Sequence, residues 1–369
     1  MVESDEDLLE SLGYRQEFRR EFTRWSTLSH AISILGVLGS VPASWGSPLA
    51  AGGPSTAIWA WFSGSFFSLC IALSVAELVS AYPMSGGMYF ITKHVLPHKK
   101  VSVAAWMIGR SNFLGQTASV ASVGYSVAQM TLAAESMGSV REDGTFAYVP
   151  IAQSTVGVSV VIGSVVISIA LLVLTPNKLP ASEVFGNVID GSGWNSEGFS
   201  FRIGYLSVAW TMTDYDATAH MSEEQQNAAA SGPVAIVQAI IISWVFFNAC
   251  GRAGGLGMWF WVILVQLFTG VTAMLSNTRT CFALARDEAL PFSGTLRKIN
   301  EYTQTPLYSV WSVVLACCLQ NLIAPGSVQT INGIYGITAP VMDISYIAFI
   351  AARIYYEKDH PISKGPFQL

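Results

Sequence analysis

Residues 32–53 read ISILGVLGSVPASWGSPLAAGG, an apolar segment with Gly36, Gly39, Ser40 and Pro42 in its middle. It lies inside a stretch from Trp25 to Ala76 that holds no Asp, Glu, Lys or Arg. A helix needs about 20 apolar residues to cross a bilayer, so this gap is long enough for two crossings. Glycine costs about 1 kcal/mol and proline about 3 kcal/mol in a helix interior. The first crossing is therefore expected to be broken near its centre. Such a break survives in a membrane only beside protein or a water-filled cavity. Close helix packing by small residues is the competing explanation for this segment taken alone.

The same absence of charge recurs along the chain. No charged residue occurs from Ser111 to Ala134, Gly144 to Asn177, Gln225 to Gly251, Ala253 to Thr278 or Tyr302 to Met342. Over all 369 residues, 51% are hydrophobic and only 12% charged, against about 25% charged in soluble domains. Mean hydropathy is +0.45. This excludes an ordinary soluble enzyme, a disulfide scaffold and a disordered chain. The net charge of −5 leaves no basic face for nucleic acid. The apolar runs are continuous, not alternating, which argues against a β-barrel. The fold class expected is all-α, a polytopic transmembrane helical bundle in the lipid bilayer. The first two dozen residues are charged, so the first apolar segment is expected to be a span, not a cleaved signal.

Gly/Pro punctuation places about nine spans near 28–50, 55–81, 101–133, 150–175, 199–220, 233–250, 255–284, 306–324 and 329–352. The corresponding division is a cytoplasmic segment 1–27, a transmembrane domain 28–352 and a cytoplasmic segment 353–369. Arg15, Arg19, Arg20 and Arg24 before the first span put the N-terminus inside. The uncharged AAGGPST (50–56) is expected as an outward loop, and Lys93, Lys99 and Lys100 face in. Counting back from Arg353, Lys358 and Lys364 gives the opposite parity around 150–175, as if one crossing were missing.

A second break is expected in GYLSVAWTMTDYDATAHMSEE (204–224), which turns polar after Trp210 without a turn signal. Asp214, Asp216 and His220 fall where the helix should still be within the bilayer. An acidic group at that depth costs about 2.5–3.5 kcal/mol on insertion scales and usually marks an ion or substrate pathway. Asp216 and His220 are four apart and share a face if helical. A span ending at Met212 would leave too short an apolar segment. Glu77, Asn112, Gln116, Arg110 and Asp343 are further polar residues in or near spans, each more simply read as an interhelical hydrogen bonder, or, for Arg110, as a snorkelling cation. No HExxH, GxSxG, Walker A or CxxC motif is present, so no enzymatic activity and no cofactor is expected. Neither the five histidines nor Cys70, Cys250, Cys281, Cys317 and Cys318 have metal-site spacing.

Four motifs together resemble the amino acid–polyamine–organocation transporter superfamily. They are AELVSAYPMSGGMYFITKHVLP (76–97), LGSVPASW (38–45), AWTMTDYDATAHMSEE (209–224) and MLSNTRTCFALARDEALPFS (274–293). The wording is nearest to fungal permeases for GABA, choline and other amino acids or amines. The resemblance implies an inverted-repeat fold with its first and sixth spans discontinuous. It implies secondary transport of an amino acid or small amine by alternating access, with H+ as coupling ion, in the plasma or vacuolar membrane. By position, Gly39, Ser40 and Val41 match the first-span break that receives a substrate carboxylate, and Trp210 matches an aromatic lid. Thr211, Thr213 and Asp214 fall on the sixth-span break and Gln116 near a third-span substrate contact. Asp216, His220 and Glu77 are the candidates for coupling or gating.

The chain departs from the family pattern. TVGVSVVIGSVVISIALLVL (155–174) reads as the start of a fourth span joined to the end of a fifth, and 233–250 as a shortened seventh. The sequence stops where two last spans would begin, and Arg110 stands where an aromatic is usual. A transport-incompetent shortened or mis-spliced form is thus the alternative reading. A seven-span receptor fits poorly, because it needs unbroken helices and an outward N-terminus.

Overall fold

The computed structural model describes residues 5–18, 20–138, 186, 188, 190, 194, 196–213, 215–250, 259–300, 305–323, 328–357, 361 and 365–367. The expected span at 150–175, its parity and Asp214 lie outside these residues. Within them the chain is helical. The one β-type pairing among them is an isolated parallel bridge between Phe22 and Gln225.

A short helix α1 (Asp5–Ser11) precedes α2 (Arg24–Leu35). Thr23 caps α2, its hydroxyl accepting the Ser26 N–H at 3.4 Å. The helix stops at Gly36, which adopts φ 51°, ψ 41° and donates its N–H to Ile32 O. That left-handed conformation disfavours any residue with a Cβ, and a Cβ here would lie 2.0 Å from Thr269 Oγ1. The next helix, α3 (Val37–Ala81), starts at once. The break in the first span is therefore narrower than the sequence suggests: it is confined to Gly36, and Pro42 lies within helix.

A second correction concerns AAGGPST. It is not a loop; residues 50–56 are helical apart from Gly53, at φ 74°, ψ −170°. Pro54 explains the bend, because a proline disfavours the α conformation in the residue before it and needs no N–H partner at a restarting first turn. Both arms of α3 pack on α6 (Glu197–Thr211). Ser207 Oγ donates to Ser44 O at 3.1 Å on one arm, and Ser63 Oγ lies 2.7 Å from Tyr205 Oη on the other.

Beyond α3, residues 87–95 form α4 (Gly87–Val95), where no element was expected. Then come α5 (His98–Gly138), α6, the four-residue α7 (Ala217–His220) and α8 (Ala228–Cys250). They are followed by α9 (Trp259–Arg286), the short α10 (Ser293–Leu296) and α11 (Leu307–Asn321). The last expected span is also interrupted, giving α12 (Val328–Gly336) and α13 (Thr338–Tyr356) around Ile337.

Burial follows the logic of a lipid-facing bundle. Trp311, Leu315, Leu319 and Leu322 on α11 and its end, and Leu267, Phe268 and Val271 on α9, are exposed. Stripes of large apolar side chains at helical spacing do not face water in stable soluble proteins. Inside, Val75, Leu78, Met88, Ile91, Ile236, Met342, Tyr346 and Phe349 form one core from α3, α4, α8 and α13. A smaller core joins Ala121, Cys281, Val313 and Cys317 from α5, α9 and α11.

Candidate functional site

The two helix breaks meet. Ser40 from the first turn of α3, Trp210, Thr211 and Thr213 from the second break, Ser119 and Val123 from α5, and Thr269 and Ala273 from α9 line one cavity. Its volume is about 10 Å³, close to the minimum for one water. The site is closed down around its polar groups. Ser40 Oγ donates to Gln266 Oε1 at 3.2 Å, and Gln266 Nε2 donates to Ser126 Oγ at 3.0 Å. Trp210 Nε1 donates to Ser122 Oγ at 3.3 Å, which fixes the indole as one wall. Thr211 Oγ1 donates to Ser207 O at 3.0 Å and lies 3.2 Å from Ser44 Oγ. Gly39 is required for the approach of α9, because a Cβ there would lie 2.8 Å from the backbone nitrogen of Gln266. Val41 lies in the helical backbone of α3.

Just past the second break lies Asp216, which is fully buried. Tyr346 Oη of α13 donates to its Oδ1 at 2.7 Å. Asn112 Nδ2 of α5 donates to its Oδ2 at 3.1 Å, and His220 Nε2 stands 3.2 Å from the same oxygen. The other ring nitrogen, Nδ1, is 2.9 Å from the carbonyl oxygen of Ser85. A carbonyl only accepts, so Nδ1 carries a proton. The Nε2–Oδ2 contact then requires one more proton, held either by the imidazole or by the carboxyl. Without it, two lone pairs would face each other. Gly87, at φ 55°, lets the backbone close onto this ring; its Cβ would lie 2.7 Å from His220 Cε1.

Asn112 and Gln116 occupy one face of α5, as do Ser119 and Val123. Seven residues, about 10 Å along the helix, separate the Asp216 contact from the cavity. Gln116 stands between them. It is buried, and neither its Oε1 nor its Nε2 has a hydrogen-bond partner among the described residues.

Glu77 is elsewhere. It pairs with Arg353 Nη1 at 2.6 Å, tying α3 to α13. The residues that sequence reading missed are Tyr346, Ser85, Ser119, Ser122, Gln266 and Thr269. Their polar character is unremarkable in sequence, and only tertiary pairing brings them to the site.

The end of the second break is clamped. Glu223 receives Arg286 in fork geometry, Nη1 to Oε2 at 3.0 Å and Nη2 to Oε1 at 2.9 Å, and also bonds the Ser85 hydroxyl and N–H. Glu224 pairs with Arg279. Burial holds the Glu224 carboxyl above its ordinary range, against the smaller lowering effect of Arg279 beside it. The N-terminal arm covers this end. Gln16 Nε2 donates to Glu223 O at 2.7 Å, and Arg20 Nη1 to Gln225 O at 2.7 Å.

Comparison with known proteins agrees with this architecture. The chain is 38% identical to an amino-acid permease of Schizosaccharomyces pombe, over all of this chain and 78% of the relative. It is 31% identical to amino-acid permease 2 of Neurospora crassa, again over all of this chain and 78% of the relative. A GABA-specific permease of Saccharomyces cerevisiae is 26% identical over 87% of this chain and 66% of its own length. The first alignment runs over 430 positions against 369 residues here, so it opens gaps within this chain. The amino acid permease family model matches residues 22–173 and 245–368. These residues make up most of the sequence, and the chain belongs to the amino acid permease family of membrane transporters.

Proposed function

We propose that this chain is a secondary transporter of an amino acid or small amine, working by alternating access and driven by protons. The observation that carries the reading is the Asp216–His220 pair, which holds one exchangeable proton about 10 Å from the closed cavity. Asp216 is bonded at once from α5, α7 and α13, so relative movement of these helices changes its proton affinity. That is what coupling requires: a conformational equilibrium biased differently by the two protonation states. Gly39, Ser40 and Val41, at the start of α3, are the residues to receive a substrate carboxylate at the positive end of the helix dipole; in this closed form the Gly39 and Ser40 N–H groups donate to Gly36 O, at 2.7 Å each. Trp210 is the lid, Thr211 and Thr213 are the substrate contacts of the second break, and Asp214 joins them by its position in the sequence. GABA or choline-like amines are the substrates to test first, in view of the GABA-specific relative.

In this reading the bundle is an inverted repeat of about nine spans over 28–352. Residues 1–27 and 353–369 are cytoplasmic, and the membrane is the plasma or vacuolar one. Glu77 belongs to the support of the bundle, through Arg353.

The test is uptake of labelled amino acids, GABA and choline into proteoliposomes with and without an inward proton gradient. The wild type is expected to accumulate substrate only with the gradient. Asp216→Asn is expected to lose that stimulation while substrate exchange at equal pH persists. Undiminished stimulation in Asp216→Asn would take the residue out of the coupling mechanism.

A second reading, a transport-incompetent short form, is favoured by the alignment gaps and by the break in the family match between residues 173 and 245. Transcript sequencing across the codons for residues 158–166 and 240–244 separates the two. Only longer transcripts would favour an artefact; continuous short reads would favour a genuine short protein.

A further inference from the structure

A cavity of about 330 Å³ lies where α4, the first turns of α5, the end of α9 and the N-terminal arm meet. Its volume falls in the range of small-ligand sites, about 300–1,000 Å³. It is separate from the transport site. Its walls include Tyr14, Tyr89, Phe90 and Trp106, and two cations line it, Lys93 and Arg110.

Neither cation makes an ion pair among the described residues. Lys93 Nζ stands 3.9 Å over the Phe90 ring. Arg110 stacks 4.7 Å over Trp106 and gives Nη2 to Ala289 O at 3.0 Å, while its buried Nε–H has no partner among the described residues. The cavity's acid, Asp287, is otherwise engaged. Tyr14 Oη donates to Oδ1 at 3.0 Å and Tyr89 Oη to Oδ2 at 2.9 Å. Burial and then the Asp287 charge push both phenols up, so they remain donors at neutral pH. The cavity therefore presents two cations to one hydrogen-bonded carboxylate.

Its position selects the anion. Trp106 is 56% exposed, with Val103 and Met107 exposed beside it. Such an apolar face at a helix start belongs at the membrane interface, where tryptophan is enriched. The adjoining Lys99 and Lys100 mark this end as cytoplasmic by the positive-inside rule. The cytoplasmic leaflet carries the anionic lipids, and basic pockets between transmembrane helices suit their head groups. We infer that this cavity binds the phosphate head group of an anionic glycerophospholipid, with Lys93 and Arg110 as its cationic contacts. Because Tyr14 is part of the wall, the lipid would also fasten the N-terminal arm.

The full chain, reconstituted in phosphatidylcholine nanodiscs, is titrated with phosphatidylserine while its thermal midpoint is followed. The wild type is expected to gain stability saturably. The phosphatidylserine fraction giving half the gain should rise about fivefold in Lys93→Gln, from about 1 kcal/mol per basic residue near an anionic surface. It should rise further in Lys93→Gln/Arg110→Gln. Both variants should match the wild type in pure phosphatidylcholine. If the double variant folds poorly, Lys93→Gln at its exposed position still decides the matter. An unchanged titration in Lys93→Gln overturns the proposal. A gain of equal size from inorganic phosphate in pure phosphatidylcholine overturns the lipid assignment.

Discussion

Gln116 is the most informative side chain in the molecule. Its amide is buried with no partner at either end among the described residues, between the Asp216–His220 pair and the closed cavity. A buried polar group left unsatisfied costs about 1–3 kcal/mol. Gln116→Leu should therefore unfold at a temperature equal to or above the wild type, while uptake falls and its apparent substrate affinity weakens. Differential scanning fluorimetry beside uptake kinetics would check this. A variant with lower stability and unchanged kinetics would make Gln116 a structural residue only. Sequence reading reached Gln116, Asp216 and His220 because polar groups stand out in an apolar run. It could not reach Tyr346 or Ser85, since a tyrosine midway along the last span and a serine in a Ser-Gly-Gly stretch carry no mark of their partner. Asp216 finds Tyr346 130 residues away.

Among the elements, the breaks were the legible part. Glycines, prolines and the sudden polarity after Trp210 point to both of them. Their extent was not legible, because tertiary packing decides how much of a weak helix survives. Pro42 stays helical within α3, while Gly36 alone turns the chain. This makes Gly36 testable. Gly36→Ala places a Cβ in a left-handed conformation at about 1–2 kcal/mol and drives it against Thr269 Oγ1, 2.0 Å away. We expect a loss of about 2 kcal/mol or more in unfolding free energy, with the Thr269→Ala/Gly36→Ala pair recovering part of it. Equal stability of Gly36→Ala and wild type would mean that the break can move to another residue. The bend at Gly53 follows the same lesson: in sequence Gly-Pro marks the centre of a loop, yet in the fold it is a one-residue joint between helices.

Across the molecule, the arrangement depends on a small number of buried charges that tie distant helices. Glu223, with a side chain 1% exposed, is neutralised by Arg286. Removing one partner of a buried pair costs about 3–5 kcal/mol, whereas removing both is often near neutral. Arg286→Met should accordingly destabilise the protein by that amount, and Glu223→Gln/Arg286→Met should recover most of it. Chemical or thermal unfolding of the wild type, Arg286→Met, Glu223→Gln and the double variant completes the cycle. A double variant as unstable as the single one would show that Arg286 acts through its stacking on Tyr14, 4.2 Å away, and not through charge.

The arm that reaches this ion pair has a history as well as a position. Tyr14 meets Asp287 across 273 residues of chain. At about 5–20 residues per second during synthesis, roughly 14–55 s pass between the making of one and the making of the other. Within that interval Phe90, which meets the Tyr14 ring at 5.6 Å, and then Glu223 and Gln225, which hold Gln16 and Arg20, become available first. During synthesis the arm thus gains its seat in stages, α4 first, the Glu223 end next and Asp287 last, so its final locking waits on the end of α9.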